Sequence, residues 1–443
     1  MSRRPRWRSR RRRRRRRRAD LPARGPGEHR FPDGFLWGCA TAAHQVEGGN
    51  HNSDWWEFER HGGILTGESA DPACDHYQRF REDFGLLRLL RNNAHRLSVE
   101  WSRIEPSQGQ FDARAIAHYR EVLTALRGRG IAPMVTLHHF TSPLWFMERG
   151  GWAAAGAEDA WLPFVRRTAE ELGDLVAAWC TVNEPNIYAL QGWMLGESPP
   201  GRRGDVRGYY RVLGAMARGH ESAYRELQRI TPGVPVGLAH HKWLMLPASR
   251  RRRDRVAAGA AQLFMDRWPV GTRLRRVVEA PSDYVGLNHY TGSLVEFDRR
   301  RPKEQFMRRF NPPDSPTTDF GWAVRPEWMR VALDELRPLG KPVYVTESGI
   351  AAADDGRRQE FLLAVLDQVW EARQAGVDVR GYFHWTSMDN FEWAHGYSMR
   401  FGLIGVDRET QERKVKPSGW LFARIAEENA LPARAPFSVR GEG

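Results

Sequence analysis

Cysteine is scarce: the 443 residues hold three, Cys39, Cys74 and Cys180. An odd count without a C-x-x-C pair excludes a disulfide framework, so a reducing, cytoplasmic setting is expected. Long apolar runs are also missing. No stretch reaches the roughly 18 residues that a membrane span needs, and no membrane association is expected. The pairs His138-His139 and His240-His241 have no cysteine or carboxylate at ligand spacing, so neither a metal nor any other cofactor is expected. No internal repeat points to a solenoid, and no low-complexity linker divides the chain after residue 30.

Acidic residues are absent from one place in particular. Residues 1–20 carry 13 arginines (Arg3, Arg4, Arg6, Arg8 and Arg10 to Arg18) against the single acid Asp20. The formal charge of +14 comes largely from this run; taking those 13 from 68 basic residues and one from 54 acidic ones leaves +2. The rest of the chain is therefore nearly neutral, which excludes a basic nucleic-acid footprint spread over a folded surface. An unbroken arginine run cannot bury apolar area and is expected to be disordered. Nonspecific binding of RNA through it stays open. No apolar segment follows within Ala19 to Arg30, so it does not read as a secretory or twin-arginine leader. Residues 1–30 are read as tail and linker, and residues 31–443 as one folded domain.

From Phe31 onward, short apolar runs alternate with helical spacing. Eight strand candidates follow in order: 35–41, 94–101, 132–137, 177–182, 234–239, 283–288, 342–346 and 379–385. Between them, Phe80, Phe84 and Leu87 fall on one helical face, as do Ile116, Tyr119, Leu123 and Leu126. Strands alternating with helices predict a parallel sheet. Eight such units predict a single closed (β/α)8 barrel, with its active site at the C-terminal strand ends.

Two of those ends present a glutamate. Glu184 follows Asn183 at the fourth, and the Pro185 after it biases its backbone towards an extended form. Glu347 follows Thr346 at the seventh, before Ser348 and Gly349, whose freedom suits a tight turn. Two carboxylates facing one cleft are what glycoside cleavage needs: one protonates the leaving oxygen, and the other attacks the sugar carbon or activates a water. Spacing along the chain leaves retention and inversion both open. Arg96 on the second strand and Tyr290 just past the sixth are candidates to keep one carboxylate ionised. The 18 tryptophans suit a sugar's flat faces and a barrel core alike.

Longer segments strengthen this reading. Phe35 to Gly48, Cys74-Asp75-His76-Tyr77, Arg96 to Ile104, Met388 to Trp393, Gly396-Tyr397-Ser398 and Arg400-Phe401-Gly402 resemble the signatures of glycoside hydrolase family 1, the β-glucosidase family. The resemblance runs from about Phe31 to about Phe437. It implies a retaining β-glycosidase with Glu184 as acid/base and Glu347 as nucleophile. Asn183 is then expected to hold the hydroxyl beside the reacting carbon, and Arg96 and Tyr290 to bond the nucleophile. Gln45, His139, Glu392 and Trp393 are expected to hold the other hydroxyls, over a floor made by Trp385. Asn288 and Phe401 would line the same pocket. Each has a plainer reading: Trp385 and Trp393 as packing, His139 as a satisfied core histidine, Gln45 and Glu392 as solvated polar groups.

The pattern departs from the family at Phe140 and Thr141, where Trp and Asp are usual, at Ser348, where Asn is usual, and at His289, where an aromatic is usual. Phe140 cannot donate the hydrogen bond of an indole. Glu392 would repel a phosphate, which sets phospho-β-glucosidases aside, and the presence of Glu184 sets thioglucosidases aside. The expected partner is a small or oligomeric β-glycoside. Transfer to a sugar acceptor and a non-catalytic sugar-binding or RNA-associated role remain the alternatives.

Overall fold

The computed structural model describes residues 29–270 and 273–432. The expectation for the arginine tail falls on residues outside that range. Eight parallel strands close a barrel: β1 (Leu36–Ala40), β2 (Ala94–Ser98), β3 (Ala132–His138), β4 (Ala178–Asn183), β5 (Val236–His241), β6 (Tyr284–Asn288), β7 (Val343–Ser348) and β8 (Val379–Trp385). They pair in sequence order, and β8 returns to pair with β1. All eight match the expected segments, and the single (β/α)8 barrel is the observed fold.

The helices between strands form as their apolar spacing dictates. Helix α1 (His76–Leu89) buries Phe80, Phe84 and Leu87. Helix α2 (Ala113–Arg127) starts where the Asp112 carboxylate caps the Arg114 amide, and it buries Ile116, Tyr119, Leu123 and Leu126. Each such side chain contributes about 1.5–3 kcal/mol by leaving water. On the other side of the strands, Ala94, Met134, Ala178, Tyr284 and Phe383 form one buried cluster. Strand alternation puts Arg96, Thr136, Cys180, Asn288 and Trp385 on the same face, two or four residues nearer the C-terminal mouth.

Four strands, β2, β4, β5 and β7, differ from expectation in ways that bear on the site. β2 stops at Ser98, because Trp101 opens the short helix Trp101–Ile104. β5 starts at Val236 rather than Val234 and runs on to His241, carrying His240 and His241 to the mouth. β4 and β7 each contain one extra residue. Cys180 pairs with Gly237, but Asn183 pairs with Ala239; Val345 pairs with Leu287, but Glu347 pairs with Asn288. A bulge of this kind breaks the alternation and re-aims the next side chain. Here the two bulges turn Asn183 and Glu347 towards the axis. Two hairpins (Arg267–Val270 with Arg273–Arg276, and Ile404–Val406 with Arg413–Val415) and a sheet of Leu244–Pro247, Gly292–Phe297 and Met307–Phe310 lie outside the barrel.

Candidate active site

Arg96 organises the floor of the mouth. Its buried guanidinium donates to Glu347 Oε1 at 2.5 Å, to Asn183 Oδ1 at 2.6 Å and to Thr136 Oγ1 at 3.1 Å. The Tyr290 hydroxyl donates to the other oxygen of Glu347 at 2.7 Å. Both oxygens of Glu347 therefore accept from strong donors, one of them permanently charged.

Glu184 is held differently. Its backbone is left-handed (φ 44°, ψ 58°), which corrects the extended form expected before a proline. The reason lies on either side of it. The Glu184 amide still donates to Ala239 O at 2.8 Å, continuing the barrel pairing, while Pro185 already begins a helix. One residue must make the turn between them, and a non-glycine residue does so at a cost of about 1–3 kcal/mol. The carboxyl accepts on Oε1 from Asn288 Nδ2 at 2.7 Å, and the same oxygen lies 3.0 Å from His241 Nδ1.

Asn288 and Asn183 join the two carboxyls. Asn288 Nδ2 also reaches Asn183 Oδ1 at 3.1 Å, and Asn288 Oδ1 accepts from Thr346 at 2.6 Å. Since Asn183 Oδ1 takes bonds from Arg96 and Asn288, its amide nitrogen faces His139 Nε2 at 3.1 Å. That amide must donate, so His139 Nε2 accepts and its proton sits on Nδ1. Burial holds His139 well below its usual range, with Arg96 and His138 adding to the effect, so the ring is neutral. Its Nδ1 is buried without a hydrogen-bond partner among the described residues. His138 points the other way, beside Trp152 Nε1 at 3.1 Å and Ser142 Oγ at 3.3 Å.

The remaining predicted residues line the same mouth. Gln45 Nε2 donates to Phe391 O at 2.7 Å and reaches Glu392 Oε2 at 3.3 Å; its Oε1 is buried without a partner among the described residues. Burial pushes Glu392 up to about 8, with the charges of Glu347 and Glu184 acting in the same direction. Burial thus favours its protonated form, which is able to donate to a hydroxyl. Trp385 is buried, its ring 6.0 Å from His139 and near parallel to it, and Phe401 lies 6.0 Å from Tyr290. Trp393 also has a left-handed backbone and packs between Trp55 at 4.7 Å and Phe140 at 5.2 Å.

The departures have structural accounts. Phe140 fills the wall against Trp393. Thr141 donates to Glu100 at 2.8 Å. His289 turns away from the mouth and bonds Lys242 O at 2.8 Å. Gly349 serves close packing rather than a turn: a Cβ there would lie 2.0 Å from Trp385 O. Ser348 Oγ is buried without a partner among the described residues, and nothing in the structure explains it.

The two carboxyls do not titrate independently. Burial raises Glu347 to about 7; the charge of Glu184 raises it too, while Arg96 and Tyr290 pull it down. Burial likewise acts to raise Glu184, but His241, Asn288 and Arg96 outweigh it and leave this carboxyl below its usual range. Burial is the largest cause of the rise at Glu347, and the charge of Glu184 adds to it. A proton placed on Glu184 removes that repulsion and frees Arg96 and Tyr290 to ionise Glu347. Gain of a proton at one carboxyl and loss at the other are thus favoured together.

Sequence reasoning missed three features. His241 belongs to the site, and its spacing with Gly237 and Ala239 on the inward face of β5 was the available signal. Trp243, Phe320 and Trp322 line a cavity of about 890 Å³ that shares Glu392 and Trp393 with the mouth. Phe320 and Trp322 stack at 4.4 Å, and Trp243 meets Trp322 edge-on at 5.5 Å. All three lie outside strands and helices, where periodicity gives no signal. The third feature is the pair of bulges.

Comparison with known proteins agrees with this geometry. The family model for glycosyl hydrolase family 1 matches residues 27–275 and 272–431. Beta-glucosidase A of Thermotoga maritima is 34% identical, covering 91% of this chain and 99% of its own. A 1,4-beta-D-glucan glucohydrolase of Thermotoga neapolitana is 32% identical with the same coverage, 91% and 99%. Among solved structures, a beta-glycosidase from Pyrococcus horikoshii superposes with a TM-score of 0.82 at 36% identity, covering 91% of this chain and 96% of that one. The Thermotoga maritima beta-glucosidase in complex with glucoimidazole gives 0.85 at 32% identity, over 91% and 100%. The chain belongs to glycosyl hydrolase family 1, whose enzymes are retaining glycosidases.

Proposed function

We propose that the chain hydrolyses terminal β-O-glycosides by double displacement, with Glu347 as nucleophile and Glu184 as acid and then base. The observation that carries this division is the unequal set of donors on the two carboxyls. Glu347 takes Arg96 and Tyr290 on its two oxygens, a setting that holds an anion in place for attack. Glu184 takes an amide and an imidazole on one oxygen, a setting that lets a proton come and go. In the first step Glu347 attacks the anomeric carbon while Glu184 protonates the departing oxygen. Esterified Glu347 has no charge, so Glu184 then remains ionised and takes a proton from the attacking water.

Gln45, His139, Asn183, Glu392 and Trp393 bind the sugar's hydroxyls, with Trp385 beneath its apolar face. His139 Nδ1 and Gln45 Oε1, buried without protein partners, support that role. The aromatic walls at Trp243, Phe320 and Trp322 suit a sugar or aryl leaving group. The same walls favour a second reading, transfer to a sugar acceptor, which product analysis at high sugar concentration decides. The cysteines are free and buried, which supports a reducing, cytoplasmic setting.

The test is hydrolysis of nitrophenyl β-glycosides by protein lacking the arginine tail. Glu347→Ala is expected to abolish activity. Glu184→Ala is expected to spare the best leaving groups and to recover with azide, giving a β-glycosyl azide. Full activity in either variant on a poor leaving group would overturn the assignment.

A further inference from the structure

We infer that His241 is the positioning residue that shares the catalytic proton with Glu184, so that the imidazole and the carboxyl work as one proton-holding unit. The inference rests on Glu184 being the proton donor. Its ground is geometric. His241 is the last residue of β5, buried, with Nδ1 3.0 Å from Glu184 Oε1. Asn288 fixes the same oxygen from the other side at 2.7 Å, so the carboxyl is set in one orientation. The ring is itself fixed, near parallel to Trp243 at 6.2 Å and to Tyr290 at 6.0 Å. Its other nitrogen, Nε2, is buried and has no hydrogen-bond partner among the described residues. Among the described residues, the one hydrogen-bonding contact of this ring is thus the acid/base carboxyl.

The charges around His241 favour holding a proton there. Burial opposes a charged ring, but Glu184, Glu347 and Asp266 together raise it above its usual value. The other ionisable neighbours are occupied elsewhere. His240 lies 3.4 Å from Asp266, and Lys242 pairs with Asp266 at 2.5 Å and Glu335 at 2.6 Å. His289 bonds the Lys242 carbonyl, and Tyr290 donates to Glu347.

One proton then has two places. On Nδ1 it makes an imidazolium beside a carboxylate; moved to the carboxyl, it leaves a neutral imidazole beside the acid. In the first step the carboxyl's proton passes to the glycosidic oxygen as that oxygen's bond to the anomeric carbon breaks, and the imidazole stays neutral. In the second step the attacking water gives a proton to the carboxylate, from which it returns to Nδ1. Two sites for one proton hold it more firmly than either alone, because their association constants add.

The experiment is the pH profile of kcat/KM on a nitrophenyl β-glycoside for the wild type and His241→Asn. Asparagine keeps an N–H to offer Glu184 but holds no proton of its own. The alkaline limb is expected to fall, by about 0.3 pH unit if the two sites share the proton equally and by about one unit if the imidazole holds nine-tenths of it. A limb that stays in place or rises, whether or not the rate drops, would overturn the proposal, because a histidine that only lowers Glu184 by its charge and hydrogen bond lets the limb rise when it is removed. Nitrogen-15 spectra of histidine-labelled protein give a second reading that does not depend on that variant. They are expected to show a doubly protonated, buried imidazole at neutral pH that becomes singly protonated in Glu184→Gln. An imidazole indifferent to Glu184→Gln would refute the shared proton. Glu184→Ala on a poor leaving group tests the underlying role separately: full activity there would sink the acid/base assignment, whatever His241 does.

Discussion

Replacing Tyr290 by phenylalanine removes one oxygen and isolates one term of the site. The hydroxyl donates to Glu347 Oε2 at 2.7 Å, deep in the mouth. A hydrogen bond to a charged group contributes about 1.5–3 kcal/mol, and one pKa unit corresponds to about 1.36 kcal/mol. The bond stabilises the ionised form, so its loss raises Glu347 further above the value of about 7 that burial already sets. The nucleophile acts only when ionised. The acid limb of kcat/KM should therefore move to higher pH, by about one unit at the lower end of that range. Well below the limb, the rate on a nitrophenyl β-glycoside should fall about tenfold further than any change at the plateau. An acid limb that stays in place or moves to lower pH would show that Tyr290 does not hold the ionised nucleophile.

Further expectations follow from the same contacts. Phe140→Trp restores an indole donor at the wall beside Trp393 and should lower KM for a β-glucoside while leaving kcat little changed; an unchanged KM would place that wall outside the sugar site. Gly349→Ala puts a Cβ against Trp385 O and should lower the unfolding free energy by about 1–3 kcal/mol, read in a urea melt. A variant as stable as the wild type would mean that the contact yields easily. Glu392 has its folded pKa raised from 4.5 to about 8, so the folded state binds the extra proton and stability should decline as pH rises through that window. Glu392→Gln should flatten that decline in thermal melts, and an equally steep decline would assign it to other groups.

Much of the molecule is legible because barrel strands are apolar runs bounded by polar turns. The segments at 94–101, 283–288 and 379–385 each hold an observed strand, and helices α1 and α2 bury the faces that their spacing marks. Glu184 and Glu347 stand out because a carboxylate closing an apolar run is costly unless it has work to do. The rest is hidden for physical reasons. A bulge adds one residue without any signature in composition, so strict alternation cannot tell that both Thr346 and Glu347 turn inward. A proline predicts an extended neighbour, yet Glu184 is left-handed because the strand and the helix leave it to make the turn alone. Two adjacent histidines look alike in sequence. Only the end point of β5 decides that His241 meets Glu184 while His240 meets Asp266.

The most direct test of the central claim is to trap the covalent sugar. Incubation with a 2-deoxy-2-fluoro β-glycoside bearing a dinitrophenolate leaving group slows both steps, the second more than the first. Digestion and mass spectrometry then locate the sugar. The account predicts an ester on Glu347, and none in Glu347→Ala. A sugar attached to another residue, or steady turnover to the inverted anomer without any adduct, would contradict it.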